Sequence, residues 1–413
     1  MPNPRQADCE PSEGMKKPTT EENLRAETME CTADRPLETV PLAEEAAFAS
    51  WQQDIPSEFC TLTAEELVQR VQAAKAKLSD KLVILGHHYQ REDIIQFADY
   101  RGDSLKLARQ AAEQREKEYI VFCGVEFMAE VADILSGDHQ IVMLPNTTAG
   151  CSLADMAEPH DVYACWQELA EAGIQGILPI TYINSAASLK AFCGRHDGIV
   201  CTSSNARMVT KWALQRAERV LFFPDQHLGR NTAVKLGIPL EETAVWDYTL
   251  PPGSLGGNTL EELQRARVIL WKGHCAVHQR FTVEQIRAAR QKHPGIQVIV
   301  HPECPLEVVQ EADSDGSTEF IARTIAEAPA ASKWAVGTDV NMVTRLGREN
   351  PDKQVFCLDP VVCPCPTMHS IHPAYLCWVL EKLVEGQVLN RVQVDAETAR
   401  YAKIALDRML AAV

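Results

Sequence analysis

Long apolar runs are absent from this sequence of 413 residues. No stretch approaches the roughly 20 apolar residues of a membrane-spanning helix, which predicts that the protein does not cross a membrane. The first residues, MPNPRQADCEPSEGMKK, also lack the apolar core of a signal peptide, so we expect a cytoplasmic protein. No basic stripe stands out, and 40 Lys and Arg against 57 Asp and Glu give a net charge of −17. This balance argues against nucleic acid or an anionic membrane as the partner.

Cysteine, in contrast, is abundant, with 14 residues in the chain. Structural disulfides are uncommon in a reducing compartment. We therefore expect most of these cysteines to be small buried apolar side chains and a subset to bind a soft metal centre. The length and the hydrophobic fraction of 46% favour a globular protein with two or three domains.

Residues 1–60 differ from the rest of the chain, because they carry 13 acidic and 5 basic residues and show no lasting periodicity. This composition predicts a disordered acidic extension. Order is expected to begin at Thr63, which with Glu66 forms a capping box before a helix over Glu65–Leu78. Cys9, Cys31 and Cys60 are assigned no role.

Short apolar runs alternate with amphipathic helical stretches from residue 81 onward. The runs are KLVILG, YIVFCG, QIVMLP, QGILPI, RVLFFP, RVILWK, IQVIVH, KWAVG and KQVFCLD. They lack the alternating polar face of a half-exposed strand, so they predict parallel strands covered by helices on both faces. The fold class that follows is α/β.

An internal repeat organises these runs into three similar units. Each unit has a polar pair after its first strand, a hydroxyl residue opening a helical stretch, and a cysteine after its last strand. The pairs are His87 and Tyr89, Tyr182 and Asn184, and His301 and Glu303; the hydroxyl residues are Ser104, Ser203 and Thr318; the cysteines are Cys151, Cys275 and Cys365. Four landmarks of the first and third units share one offset, since 301 − 87, 318 − 104, 337 − 123 and 365 − 151 all equal 214. The middle unit is looser because ETAVWDYTLPPGSLGGN, which contains a predicted surface loop, precedes Cys275.

The repeat predicts domains over 61–165, 166–285 and 286–413 after the extension. Ligands of parallel α/β units bind beyond the carboxyl ends of the strands, so three facing units would bring the repeated residues around one cavity. Three cysteines there can hold three irons of a [4Fe–4S] cluster. The fourth iron would then be open to act as a Lewis acid.

Other uses of the cysteines remain open at this point. Cys363 and Cys365, with Cys357 and His369 nearby, could form a zinc site, although their spacing does not match the usual zinc motifs. A redox pair of Cys363 and Cys365 is a further alternative, and spacing alone does not exclude Cys123, Cys193 or Cys201 as ligands. The hydroxyl residues could cap helices or help helix N-termini to bind phosphate or carboxylate. The polar pairs offer donors, acceptors and proton carriers.

The sequence resembles the quinolinate synthase family over residues 63–413. The resemblance rests on GHHYQ, GDSLKLA, FMAEVADIL, AGCSLADM, YINSAASLKA, CTSSNA, PDQHLGRN, KGHCAVHQRF, VHPECP, DGSTEFI and CPTM, in that order. It implies three similar αβα-sandwich domains with short parallel sheets in a pseudo-threefold arrangement around a [4Fe–4S] cluster. It also implies a transferase of NAD biosynthesis, which condenses iminoaspartate with dihydroxyacetone phosphate to give quinolinate, phosphate and two waters. An L-aspartate oxidase or dehydrogenase would supply the iminoaspartate.

The resemblance also implies roles for individual residues. The family's cluster ligands fall on Cys151, Cys275 and Cys365. Its substrate-binding positions fall on His87, Ser104, Tyr182, Asn184, Ser203, His301, Glu303 and Thr318, and its catalytic tyrosine falls on Tyr89. We expect Tyr89 and Glu303, with His87 or His301, to move protons.

Several positions depart from the family pattern, among them His88, Glu126, Asp339 and the Cys-x-Cys at 363–365. Two other functional classes also stay open. A cluster-dependent hydro-lyase would need no phosphate pocket, and an iron–sulfur electron carrier would usually have four cysteine ligands.

Overall fold

The structure is a computed structural model that describes residues 39–45, 53–361 and 364–412. The α-helices are α1 Ser57–Cys60, α2 Ala64–Leu78, α3 Glu92–Ile95, α4 Ser104–Glu113, α5 Glu126–Leu135, α6 Ser152–Asp155, α7 Pro159–Glu171, α8 Ala187–Arg195, α9 Ala206–Leu214, α10 Gln226–Lys235, α11 Leu260–Arg265, α12 Val283–Lys292, α13 Leu306–Glu311, α14 Thr318–Glu327, α15 Val340–Glu349, α16 Pro366–His369, α17 Pro373–Val384 and α18 Ala396–Ala411. Short 3-10 helices lie at Leu42–Glu44, Ser79–Lys81, Leu240–Glu242, Leu255–Gly257 and His278–Arg280.

The strands are β1 Leu82–His87, β2 Tyr100–Gly102, β3 Tyr119–Cys123, β4 Ile141–Met143, β5 Ile177–Tyr182, β6 Ile199–Cys201, β7 Arg219–Phe223, β8 Thr243–Trp246, β9 Val268–Trp271, β10 Gln297–Val300, β11 Ser314–Asp315, β12 Lys333–Gly337, β13 Gln354–Cys357 and β14 Arg391–Val392. They form three sheets, ordered β14-β4-β3-β1-β2, β6-β5-β7-β9-β8 and β11-β10-β12-β13. Among these strands only β14 runs antiparallel to its neighbour, β4. The predicted α/β class is confirmed, and all nine apolar runs contain a strand.

The three sheets share one strand order. Leaving out β14 and β8, which lie at sheet edges, they read β4-β3-β1-β2, β9-β7-β5-β6 and β13-β12-β10-β11. The register repeats as well, because Gly86 pairs with Cys123 and Val300 with Gly337, each pair 214 residues from its counterpart. The middle unit departs from the pattern because β8 lies within its additional segment and α11 directly follows it. The internal repeat therefore corresponds to a repeated sheet topology.

Burial explains why the strands read as continuous apolar runs. In β10, Val298 and Val300 belong to one buried cluster, whereas Ile299 between them belongs to the other. Alternate side chains therefore enter cores on opposite faces of the third sheet, as a parallel sheet covered by helices requires. In the described part of the chain, no helix combines the length and apolar character needed to cross a membrane.

The amino-terminal boundary is more structured than composition predicts. The capping box of Thr63 and Glu66 is present, and α2 begins at Ala64. Residues 53–60 and 39–45, which lie in the predicted extension, pack against the body: Phe59 is buried, and Glu45 pairs with Arg91 at 2.5 Å. Residues 1–38 and 46–52 lie outside the described residues, so for them the extension stays a prediction.

Candidate functional site

A single cavity lies where the carboxyl ends of the central strands of the three sheets meet. Its lining includes every residue that the sequence analysis assigned to a site: His87, Tyr89, Ser104, Cys151, Tyr182, Asn184, Ser203, Cys275, His301, Glu303, Thr318 and Cys365. Met368, Thr367, Phe127 and His278 complete parts of the wall. The spatial convergence that the repeat predicts is therefore observed.

The three lining cysteines occupy equivalent positions in the backbone. The carbonyl oxygen of each accepts a hydrogen bond from the amide four residues on, with N–O distances of 3.0 Å for Cys151, 3.0 Å for Cys275 and 2.9 Å for Cys365. Each thiol therefore stands at the start of a helical turn. All three are half-buried, whereas Cys123, Cys193 and Cys201, the other candidates, are buried in the core.

The three thiols line one cavity, so ionisation of one would raise the pKa of another. Burial raises the pKa of Cys151 to about 12, and neighbouring Cys365 adds to this effect. Burial likewise raises the pKa of Cys275 well above its usual value, with contributions from Glu303, Cys365 and Cys151. Without a metal these groups are neutral thiols, so a metal centre would have to displace their protons.

A grouping suited to a single metal ion is also present among the described residues. Ligand atoms of Cys275, His278 and Glu303 lie within 4.8 Å of one another. The three lining cysteines are not grouped so tightly, and a cluster of several irons does not require it. Within the described chain, the zinc alternative around Cys357, Cys365 and His369 does not form such a group either. Cys363 lies outside the described residues.

Two histidines at equivalent strand ends are set as hydrogen-bond donors. Nδ1 of His87 accepts from the amide of Tyr89 at 3.1 Å, and Nδ1 of His301 accepts from the amide of Glu303 at 3.4 Å. Burial lowers the pKa of both side chains, to about 3 for His301. A neutral imidazole that accepts at Nδ1 carries its proton on Nε2. Each histidine can therefore offer an N–H, which suits oxygen atoms of a substrate.

A buried chain of hydrogen bonds in the cavity wall joins residues of all three units. The Tyr89 hydroxyl lies 3.0 Å from Nε2 of His278 and 2.7 Å from the hydroxyl of Thr338. Nδ1 of His278 lies 2.6 Å from Oε2 of Glu303. Burial raises the pKa of Tyr89 well above its usual value, and the nearby Glu303 charge adds to this. The chain links a phenol, an imidazole and a carboxylate, which are the groups that proton transfer requires.

Glu303 is the carboxylate on which the polar contacts converge. Burial alone would raise its pKa, but His301 and His278, together with hydrogen bonds from His278 and Tyr182, lower the pKa to about 2. Glu303 is therefore ionised at neutral pH despite being only 2% exposed. Nearby, Oδ1 of Asn184 is buried and has no hydrogen-bond partner among the described residues. It is available to accept from a substrate N–H.

His278 and Thr338 were missed by sequence reasoning. His278 follows Cys275 by three residues, so both side chains project from the same turn, and this Cys-x-x-His spacing was an available signal. Thr338 follows β12 directly and had no comparable signal.

The three hydroxyl residues are not the helix caps. Asp103 caps α4 through Lys106, and Ser317 caps α14 through Phe320, so Ser104 and Thr318 are the first helical residues. Ser203 lies in the turn before α9. No side-chain hydrogen bond is seen from these hydroxyls to another described residue. They stand free at helix starts that face the cavity, where anions bind favourably.

A wider opening of about 890 Å³ adjoins the cavity, sharing Asp103 and Ser203 with it. Three polar bridges cross this opening, one between each pair of sheet units. They join Ser204 to Asp103 at 2.8 Å, Lys106 to Glu319 at 3.0 Å, and Lys235 to Asp315. The opening reaches the cavity at Ser203, one of the three hydroxyl residues.

These features define a class of protein: an α/β protein of three like sheets that enclose a three-cysteine cavity. Comparison with known families agrees, because the model described as quinolinate synthetase A protein matches residues 69–411. Relatives named quinolinate synthase include those of Corynebacterium glutamicum, at 54% identity over 89% of this chain and 93% of the relative, and of Anoxybacillus flavithermus, at 52% over 86% and 96%. The relative from Streptomyces coelicolor is 52% identical over 87% and 91%. The chain belongs to the quinolinate synthetase A family.

Proposed function

We propose that the protein is a quinolinate synthase of NAD biosynthesis, a transferase that condenses iminoaspartate with dihydroxyacetone phosphate to give quinolinate, phosphate and two waters. The observation that carries the proposal is the convergence of all twelve expected residues on one cavity. Membership of the family supports it, since its relatives carry that enzyme's name. Iminoaspartate would come from an L-aspartate oxidase or dehydrogenase in the cytoplasm.

The cofactor we propose is one [4Fe–4S] cluster held by Cys151, Cys275 and Cys365. The donor set fits such a group, because three half-buried thiols at equivalent turn starts face one cavity and thiolate sulfur is the ligand that iron–sulfur clusters use. When bound through three cysteines, the cluster would supply an iron open to act as a Lewis acid, without oxidation or reduction. In this proposal the three units are domains over 61–165, 166–285 and 286–413, related by a pseudo-threefold axis through the cluster.

Substrate binding would rest on neutral and hydroxyl donors. His87 and His301 would donate Nε2–H to substrate oxygens, while Ser104, Ser203 and Thr318 would bind phosphate or carboxylate at helix starts. Tyr182 and Asn184 would orient iminoaspartate, since the unpartnered Asn184 Oδ1 can accept from its nitrogen. An acidic protein can bind dianions here because helix N-termini and local donors supply the positive potential.

Proton transfer would use the chain of Tyr89, His278 and Glu303. Glu303 stays ionised and holds the Nδ1–H of His278, which leaves Nε2 as the acceptor for the Tyr89 hydroxyl proton. Tyr89 can then donate a proton to a substrate atom or accept one from it. His278 compensates by donating a proton to Tyr89 or accepting one from it. Isomerisation, ring closure and dehydration all need such transfers.

Anaerobic incubation of cluster-loaded protein with iminoaspartate and dihydroxyacetone phosphate tests this function. Mass detection should find quinolinate, with one phosphate released per ring formed. Omission of dihydroxyacetone phosphate is the control. Turnover of a hydroxy acid alone, without phosphate release, would instead indicate the hydro-lyase, and spectroscopy showing four cysteine-ligated irons without product would indicate the electron carrier.

A further inference from the structure

Three equivalent positions begin the helix that follows the third strand of each sheet unit. They lie two residues beyond the aligned strand ends Cys123, Phe223 and Gly337, and they are occupied by Val125, Asp225 and Asp339. Each is the N-cap of its helix, respectively α5, α10 and α15. Two units therefore place a carboxylate where the first unit has an apolar side chain.

Asp339 connects its helix directly to a lining cysteine. Its Oδ1 accepts from the amide of Asn341 at 2.9 Å, which caps α15. Its Oδ2 accepts from the amide of Cys365 at 2.7 Å. Asp339 is fully buried, so neither contact competes with water. One carboxylate thus fixes the backbone that carries the Cys365 thiol.

Asp225 occupies the same place relative to Cys275. Its Oδ1 accepts from the amide of Leu228 at 2.7 Å. Its Oδ2 is buried and has no hydrogen-bond partner among the described residues. Burial raises the pKa of Asp225 well above its usual value, and the nearby Cys275 amide partly offsets this rise. Gly273 ties the two segments together, since its amide donates to the Pro224 carbonyl at 3.1 Å.

The first unit lacks this arrangement. Val125 offers no acceptor, and the segment before Cys151 is instead held by the amide of Glu126, which donates to the Ala149 carbonyl at 2.9 Å. The carboxylates are therefore not required by the repeated topology, because the first unit forms its turn without one. Their presence beside two of the three cysteines calls for a role at those cysteines.

We propose that Asp339 and Asp225 are positioning residues for the thiolates of Cys365 and Cys275. The proposal rests on the iron–sulfur site described under the proposed function. A cysteine amide that donates to a carboxylate is not free to donate to cluster sulfur, and a buried carboxylate opposes the arrival of an electron nearby. Hydrogen bonds to sulfur and local charge set cluster potentials, so Asp339, which accepts from the Cys365 amide, holds the cluster in its non-reduced state. Asp339 and Asp225 also hold the backbone next to Cys365 and Cys275, which fixes the geometry of these ligands.

The test compares Asp339→Asn with Asp395→Asn in the full chain, loaded anaerobically with iron and sulfide. Asparagine keeps the shape of aspartate but has one acceptor oxygen in place of two. Asp395 is a matched control, because it caps α18 through Glu397 and Thr398 on the exposed surface. The measurements are iron and sulfide content, the midpoint potential from redox titration followed by electron paramagnetic resonance, and the rate of iron release to a chelator.

Asp339→Asn should shift the midpoint potential upward and speed iron release about 10-fold, whereas Asp395→Asn should change neither. An unchanged potential and release rate in folded Asp339→Asn would overturn the proposal. If that variant does not fold, the rate of iron release from Asp225→Asn decides, and it should rise as well. None of these measurements uses quinolinate formation. A wild-type protein that holds a cluster but makes no product would therefore refute the function and leave this inference intact, whereas one that holds no cluster would refute both.

Discussion

Replacement of Glu303 by glutamine should separate the stabilising role of this carboxylate from its chemical role. In the folded protein its pKa is about 2, against an ordinary value of 4.5. This lowering of the pKa corresponds to a stabilisation of about 3 kcal/mol at about 1.4 kcal/mol per unit. Because the folded pKa is depressed, this stabilisation is fully present above pH 4.5 and is lost as the pH falls toward 2. Glutamine can still accept from Nδ1 of His278, so we expect a net loss of about 2–3 kcal/mol at pH 7.

Urea unfolding of the metal-free protein at pH 7 and at pH 3.5 would measure this loss. The difference between wild type and Glu303→Gln should shrink at the lower pH, since the ionised carboxylate is then less favoured. Glu319→Gln is a matched control, because Glu319 also accepts from a histidine and a cation, His88 and Lys106, but is 39% exposed. Solvent screening should limit its effect to less than about 1 kcal/mol.

The catalytic consequence should be larger than the structural one. Without the negative charge of Glu303 beside its Nδ1–H, His278 is a weaker acceptor for the Tyr89 proton. We therefore expect kcat to fall about 100-fold or more. Iron and sulfide content should stay at the wild-type level. A variant that keeps its cluster and loses less than about threefold in kcat would refute the proton-transfer chain.

Three further perturbations test other parts of the structure. Cys151→Ser, Cys275→Ser and Cys365→Ser should each lose most iron, sulfide and activity by chemical analysis, while Cys363→Ser, Cys201→Ser and Cys304→Ser should keep them; retention of iron in all three of the first group would refute the central cluster. Thr318→Ala or Ser203→Ala should raise the KM for substrate with unchanged cluster absorbance. Ser317→Ala, which removes the cap of α14, should instead lower stability by about 1 kcal/mol and leave KM unchanged. The reverse pattern would show that Thr318 has a structural role. Deletion of residues 1–38 should leave stability and turnover intact. Deletion of 1–52 should cost about 1–2 kcal/mol in unfolding experiments, because it removes Glu45 from nearly buried Arg91, which keeps its pair with Asp93 at 2.9 Å; equal stability of the two truncations would contradict this.

The sequence predicted the central strands but, of the six strands at sheet edges, only β13. All nine apolar runs contain strands, whereas β2, β6, β8, β11 and β14 were not predicted, and each lies at a sheet edge. The five strands that were not predicted are two to four residues long, so they are too short to form a periodic pattern. Their pairing depends on a neighbouring strand already in place, which is information from the tertiary structure.

The site was predictable to the extent that it repeats. Cys151 and Cys365 share an offset that spacing alone reveals, and the residues beyond strand ends converge because parallel strands point the same way. His278 and Thr338 repeat in no other unit, so no internal comparison could mark them. The assignment of Ser104 and Thr318 as free hydroxyls required the structure, since a cap and the residue after it cannot be distinguished by composition.

The last strand, β14, has a consequence for the order in which the protein can be made. The first sheet begins at residue 82 but receives its outer strand from Arg391–Val392. The carbonyl oxygen of Val40 likewise accepts a hydrogen bond from Nε2 of His372 at 2.9 Å. A chain still emerging from the ribosome therefore cannot complete its first sheet, and its third thiol becomes available only after Cys365 has been synthesised. The three-cysteine cavity can therefore form only once the chain includes Cys365, and premature termination after residue 300 would leave Cys151 and Cys275 without the third thiol.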